Sequence, residues 1–199
     1  RTDLYYSTHK NEISMYLSGE FYSLSLLKPI QNKETPINQL DTQILQTYLL
    51  EPILGIKNAR TNKRISYVHG KDSMKEIKKS VDSGEQAVGF GLFPIQINEL
   101  KKLIDKSKKL ILVTGHRREN HGQGFLNICE ALKEISETNL DSQIIYPVHL
   151  NPNVQKPVYE LLGNIERIKL IPPLSYPAFV WLMNQSHLII TDSGGVQEE

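Results

Sequence analysis

Read as a string of apolar and polar positions, the chain changes character near its middle. From residue 110 onward, short unbroken apolar runs alternate with stretches whose apolar positions recur every three or four residues. Leu110–Val113 is the first such run, too short for a helix and apolar throughout, which predicts a strand buried on both faces. Phe125, Ile128, Cys129, Leu132 and Ile135 then form the apolar stripe of a helix over Gly124–Glu137. The alternation continues with a strand at Ser142–Tyr146, a helix at Asn153–Leu162 and a strand at Ile165–Ile171. A helix follows at Tyr176–Gln185, with Phe179, Val180, Leu182 and Met183 inward, then a strand at His187–Thr191 and a further helix start. Four strand–loop–helix units predict a parallel, Rossmann-like α/β sheet.

The first half lacks this regularity. Two β-rich runs on either side of Ser18-Gly19-Glu20 predict an antiparallel hairpin within Glu12–Lys28. Leu40–Leu54 carries a helical stripe with Asp41 near its start, and Pro52 predicts a kink or break near Glu51. A short strand is expected at Arg64–His69 and a charged helix at Asp72–Val81 with Met74, Ile77 and Val81 inward. A buried strand at Ala87–Phe93 follows, where Gly89 and Gly91 permit close backbone approach, and then a helix at Ile95–Ile104. Strands and helices mix without βαβ order, so this half reads as a small α+β domain. The division is residues 1–105 and 106–199, with the seam between about Pro94 and Lys108.

Composition adds little to this picture. The 199 residues suffice for one large or two small domains, and 39% hydrophobic with 23% charged residues describes an ordinary globular protein. A formal net charge of +1 gives no electrostatic case for nucleic acid or a membrane surface as a partner. The single cysteine, Cys129, lies on a helix's apolar face and reads as a core residue. It excludes an intrachain disulfide and fits a reducing compartment. With no apolar run of membrane-span length and no signal-peptide pattern, a cytoplasmic location is expected. The chain starts on Arg1 rather than Met and reads as a fragment.

A parallel sheet places the C-terminal ends of its strands on one edge, so the loops at His116, His149, Pro173 and Ser193 should converge there. The loop after the first strand, GHRRENHGQG, combines two arginines and two histidines with the amides of a helix start, a setting for an anion. Asp192-Ser193-Gly194-Gly195 offers a hydroxyl and bare amides to a diphosphate, or is an ordinary βα turn. His149 is a ligand donor or a loop-packing histidine. Glu199 is placed to bind ribose hydroxyls, as a carboxylate does in dinucleotide folds. His9, Lys10 and His69 read as solvated or turn residues, so no site is expected in the first half.

GHRREN (115–120), YPVHLNPNV (Tyr146–Val154) and TDSGGVQEE (Thr191–Glu199), in this order, resemble the non-hydrolysing UDP-N-acetylglucosamine 2-epimerases. The resemblance implies a GT-B-type half domain in a protein of two Rossmann-like domains with the active site between them. It further implies interconversion of UDP-N-acetylglucosamine and UDP-N-acetylmannosamine, by anti elimination of UDP and re-addition, with no redox cofactor and no metal. By the same resemblance His116, Ser193, Gly194, Gly195 and Glu199 hold UDP. Arg117 and His149 match positions that contact a second, regulatory UDP-N-acetylglucosamine in some bacterial members. The family's acid/base carboxylates come mainly from an N-terminal domain with no counterpart here, so no residue is assigned a catalytic role. Without them C2 proton transfer has no route.

Residues 1–105 instead resemble the uncharacterised DUF1015 family, through HKNEISMYL, LEPILGI, NKRISYVHG and VDSGEQAVGFGLFP. The expected function is that of a fragment limited to binding UDP or UDP-sugar, with a homodimer as a candidate assembly. Two alternatives stand beside it: a non-catalytic interaction module centred on the first half, and a join of two unrelated segments with no function as a unit. A truncated sheet is also expected to lack covering helices and to expose apolar faces.

Overall fold

The computed structural model describes residues 3–27, 35–59, 62–68, 70, 72–115, 120 and 122–198. They fall into two compact units, Arg1–Pro94 and Ile95–Glu199.

The first unit is built on the hairpin β1 (Glu12–Leu17) and β2 (Glu20–Ser25), in register from Glu12 opposite Ser25 to Leu17 opposite Glu20. Ser18 (φ 51°) and Gly19 (φ 87°) occupy the left-handed region that a two-residue hairpin turn demands. The other edge of β1 pairs antiparallel with β3 (Gly89–Leu92), giving the order β2-β1-β3. As the central strand, β1 is covered on both faces. Ile13 packs with Ile44, Leu45, Leu50 and Ile56 on one side, and Tyr16 with Phe21 and Met74 on the other.

The stripe over Leu40–Leu54 forms α1 (Asp41–Leu45), which widens into a π-helical turn at Gln46–Leu50 and ends before Pro52. The break expected near Glu51 is there. Pro52 has no N–H to continue the ladder. Helix α2 (Ser73–Asp82) buries Met74 and half-buries Ile77 and Val81, as its pattern requires. The segment 64–68 is not the expected strand. Its start is turned by Ile65 N–H donating to Asn62 O, and Tyr67 Oη donates to Ala59 O, so local bonds replace a ladder. His69 lies outside the described residues.

The second unit opens with α3 (Ile97–Leu103), two residues later than its apolar pattern suggests. Gln96 caps it, and Glu99 reaches back to accept from the Gln96 N–H at 3.0 Å. There follow β4 (Lys109–Thr114), α4 (Gln123–Thr138), β5 (Ser142–Pro147), α5 (Pro152–Leu162), β6 (Ile168–Ile171), α6 (Tyr176–Gln185), β7 (Leu188–Thr191) and α7 (Gly194–Gln197). The four strands are parallel, in the order β6-β5-β4-β7. This is the Rossmann-like α/β arrangement that the alternation of patterns implies. β6 begins at Ile168 rather than Ile165 because the turn after α5 continues to that point, with Ile168 N–H donating to Ile165 O.

Helices α4 and α5 cover one face of the sheet, where Ile111, Val113, Ile144 and Tyr146 meet Phe125, Cys129, Val154 and Val158. On the other face Leu110, Leu112, Ile145 and Ile171 are buried, with α6 packed on β4 and α3 on α6. At roughly 1.5–3 kcal/mol per buried aliphatic side chain, these two layers dominate the unit's stability. The expected shortage of covering helices is therefore not found over β4–β6. It is confined to the edge strand β7, where Leu188 is 51% exposed. In α6 the inward residues are Ala178 and Leu182, while Val180 turns outward.

Candidate functional site

The strand order fixes where a site can form. From β4 the chain steps outward through β5 to β6, then returns past β4 to lay β7 on its far side. The direction of winding reverses between β4 and β7, and the crevice at their C-terminal ends is where doubly wound sheets bind ligands. Two of the expected polar segments start from the sheet there, at Gly115 after β4 and at 192–193 after β7.

The described residues at this crevice are tied together. Thr114 pairs with Thr191 at the top of the ladder, and Asp192 N–H reaches the Thr114 carbonyl at 3.4 Å. Asn120 Nδ2 donates to Asp192 Oδ2 at 2.9 Å across the crevice. Gly115 is buried, and its side-chain position faces the Asp192 carboxyl group, whose nearest atoms lie 3.7 Å from where a Cβ would stand. From the adjoining strand, the buried Tyr146 Oη donates to the Gly115 carbonyl at 2.6 Å. Burial pushes the Tyr146 phenol far above its ordinary range, with Cys129 and then Asp192 adding to the effect. It is therefore a fixed donor at any working pH.

Ser193 precedes α7 with extended backbone. Its N–H donates to Thr191 Oγ1 at 3.0 Å, and its hydroxyl makes no capping bond to the helix. Gly194 and Gly195 are exposed. A Cβ added at Gly195 would meet no protein atom within 4 Å, and its φ is not in the left-handed region. Neither packing nor backbone conformation requires glycine at that position.

His149 lies in the loop after β5, half-buried, and its Nδ1 accepts from the Asn151 N–H at 3.2 Å. Asn151 in turn caps α5 by accepting from Asn153 N–H at 2.9 Å. The ring thus shapes the entry to α5 while lying at the same sheet edge as Ser193. His116, Arg117 and Glu199 lie outside the described residues. Cys129 is fully buried, and burial first, then Glu130, pushes its thiol up to about 11, so it is core rather than nucleophile. Among the described residues no cluster of three or more His, Cys, Asp or Glu could hold a metal, and no helix is long and apolar enough to cross a membrane.

Residue typing alone passes over Asn120, Asp192 and Tyr146. The available signals were modest: a tyrosine ending an apolar strand must find a partner for its hydroxyl, and a half-buried carboxylate must find hydrogen-bond donors.

A four-stranded parallel sheet, helices on both faces and polar loops at the winding reversal define a nucleotide-fold α/β unit of the Rossmann type. Comparison with known proteins narrows this. Residues 91–199 match the model of the family described as UDP-N-acetylglucosamine 2-epimerase, and the chain belongs to that family. The UDP-N-acetylglucosamine 2-epimerase of Campylobacter jejuni is 66% identical over 102 residues, covering 51% of this chain and 26% of that protein. The Escherichia coli K12 enzyme is 60% identical over 96 residues, 48% of this chain and 26% of the relative. The chain thus spans about a quarter of the length of these curated relatives. Among solved structures, the Neisseria meningitidis UDP-GlcNAc 2-epimerase bound to UDP-GlcNAc superposes with a TM-score of 0.50 at 36% identity. That match covers 63% of this chain and 31% of the other, and supports the GT-B-like assignment.

Proposed function

We propose that these residues form part of the nucleotide-holding half of a UDP-N-acetylglucosamine 2-epimerase, and that the 199-residue chain binds UDP or UDP-sugar without turning it over. The observation that carries this reading is Gly195. It is glycine at the winding reversal, where the protein itself leaves room for a side chain. Bare amides beside the Ser193 hydroxyl suit a diphosphate that must approach the backbone closely. Identity to UDP-N-acetylglucosamine 2-epimerases supports reading that diphosphate as UDP's, and the Neisseria meningitidis protein is bound to UDP-GlcNAc.

In this reading Ser193, Gly194 and Gly195 contact the diphosphate, His116 donates to the nucleotide and Glu199 accepts from the ribose hydroxyls. Arg117 and His149 face a second, regulatory UDP-N-acetylglucosamine. The chemistry of the reaction asks for carboxylates able to exchange a proton at C2 of the sugar. The one carboxylate among these positions, Glu199, is given to the ribose, which leaves none for the sugar and is why binding without turnover is proposed. The first unit, within the stretch that resembles the DUF1015 family, is a separate α+β domain with no assigned ligand. The protein is read as cytoplasmic.

Calorimetric titration of the purified chain with UDP tests the proposal. Saturable binding that weakens about tenfold or more in His116→Ala is expected, the loss of one charge-assisted contact being worth that much. A folded chain that takes up no UDP would overturn it, and release of UDP-N-acetylmannosamine from UDP-N-acetylglucosamine would overturn the absence of turnover.

A further inference from the structure

We infer that the segment ahead of β1, residues 4–8, is a strap that closes over one face of the first unit's sheet and opens as a single body about the turn at Asn11. Its side chains alternate as in an extended chain: Leu4 and Tyr6 are exposed, while Tyr5 and Ser7 are half-buried. It is not a strand of the β2-β1-β3 sheet, and side chains hold it in place. The Tyr5 ring packs against the apolar cluster of Tyr16, Phe21 and Met74. The Glu12 carboxylate accepts from the Tyr5 hydroxyl, from Thr8 N–H at 2.6 Å and from Thr8 Oγ1 at 2.9 Å. The Ser7 hydroxyl accepts from Ser14 N–H at 3.0 Å and donates to the Gly91 carbonyl at 3.0 Å.

The hairpin register explains where Ser7 sits. A two-residue turn closes on a bonded pair, here Leu17 opposite Glu20, so Met15 and Ile13 bond towards β2 and Ser14 bonds towards β3. Ser14 stands opposite Gly91, and the Ser7 hydroxyl joins the N–H of the one to the carbonyl of the other. The strap is thereby stitched to β1 and β3 at once. It is also detachable. When it leaves, the Gly91 carbonyl keeps Ser14 Oγ at 3.3 Å and Glu12 keeps Ser23 Oγ at 2.6 Å, so neither acceptor is orphaned. Asn11, in the left-handed region at φ 65°, donates its N–H to the buried Asp41 Oδ1 at 3.0 Å. This pins the turn to α1, so opening stops there and leaves β1 in the sheet. Opening bares Glu12 and the strap side of the Tyr16–Phe21–Met74 cluster, and closing covers them. The inference concerns the first unit and stands apart from the nucleotide reading.

Amide hydrogen exchange of the full chain at Thr8, Ser14 and Met15 tests this, in the unaltered protein and in Tyr5→Phe and Ser7→Ala, with rates taken relative to the unstructured chain. The side-chain partner of Ser14 N–H is Ser7 and that of Thr8 N–H is Glu12, so Tyr5→Phe removes neither. Each variant should nevertheless speed exchange at Thr8 and Ser14 together, about tenfold, and leave Met15, bonded towards β2, unchanged. Faster exchange only at the amide whose own partner was altered would show separate contacts and overturn the strap. Acceleration at Met15 as large as at Ser14 would mean that the whole sheet loosens, and overturns it as well. Should a variant fail to fold, the unaltered chain decides in low urea. Thr8 and Ser14 must then follow one urea dependence, shallower than that of Met15, and separate dependences overturn the inference.

Discussion

Glu12 is 4% exposed and accepts hydrogen bonds from Ser23 Oγ at 2.6 Å, Thr8 N–H at 2.6 Å, Thr8 Oγ1 at 2.9 Å and the Tyr5 hydroxyl. These donors, Ser23 foremost, hold its carboxyl at about 2 against an ordinary 4.5. A carboxylate whose folded value is depressed contributes stability in full above the unfolded value and loses it as pH falls through the folded one. The contribution of Glu12 is therefore present above about pH 4.5 and disappears towards pH 2. Urea midpoints measured at pH 5 and pH 3 should fall steeply for the unaltered chain and less steeply for Glu12→Gln. Equal slopes would show that these bonds do not favour the charged form. Nothing in the linear pattern announces this residue, since Glu12 reads as the polar start of a strand and its donors come from the stretch before β1 and from β2. Asn120 and Asp192 were hidden for the same reason: they lie 72 positions apart and meet only because β7 returns beside β4.

Elements whose burial follows one simple period were legible in the sequence. The strand at Leu110–Val113, the helices from Phe125 and Tyr176, and the turn at Ser18-Gly19 lie where their patterns place them. Misreadings occur where local bonding competes with pattern. Ile65 and Tyr67 alternate like strand residues, but turns and a side-chain bond to Ala59 take the backbone elsewhere. The pairing of β3 with β1 was not legible either, because register between distant strands leaves little local trace. Its basis is steric and can be checked. A Cβ at Gly89 would collide with Ile77 of α2, and one at Gly91 with Ser14 Oγ and Met74 Sδ. Gly89→Ala should therefore destabilise the chain by about 1–3 kcal/mol in denaturant titrations. A loss below ~0.5 kcal/mol would mean that α2 does not pack closely on β3.

At the scale of the whole molecule, the second unit has the sheet order and winding reversal of a nucleotide fold, and sequence identity ties it to the UDP-N-acetylglucosamine 2-epimerases. The place where a candidate site could form was legible because a parallel sheet gathers its loops at one edge whatever they contain. Its internal geometry was not, because hydrogen bonds across the crevice depend on which strands become neighbours. The central claim is that the glycine turn after β7 serves a ligand rather than the fold. Gly195→Ala tests this most directly, with thermal unfolding and UDP affinity measured on the same preparation. The new Cβ meets no protein atom, and alanine is the better helix former, so the melting temperature should hold or rise. UDP affinity should drop about tenfold or more as the diphosphate is pushed off the amides. A variant that binds UDP as tightly as the unaltered chain, or that melts earlier while its affinity is unchanged, would contradict the account.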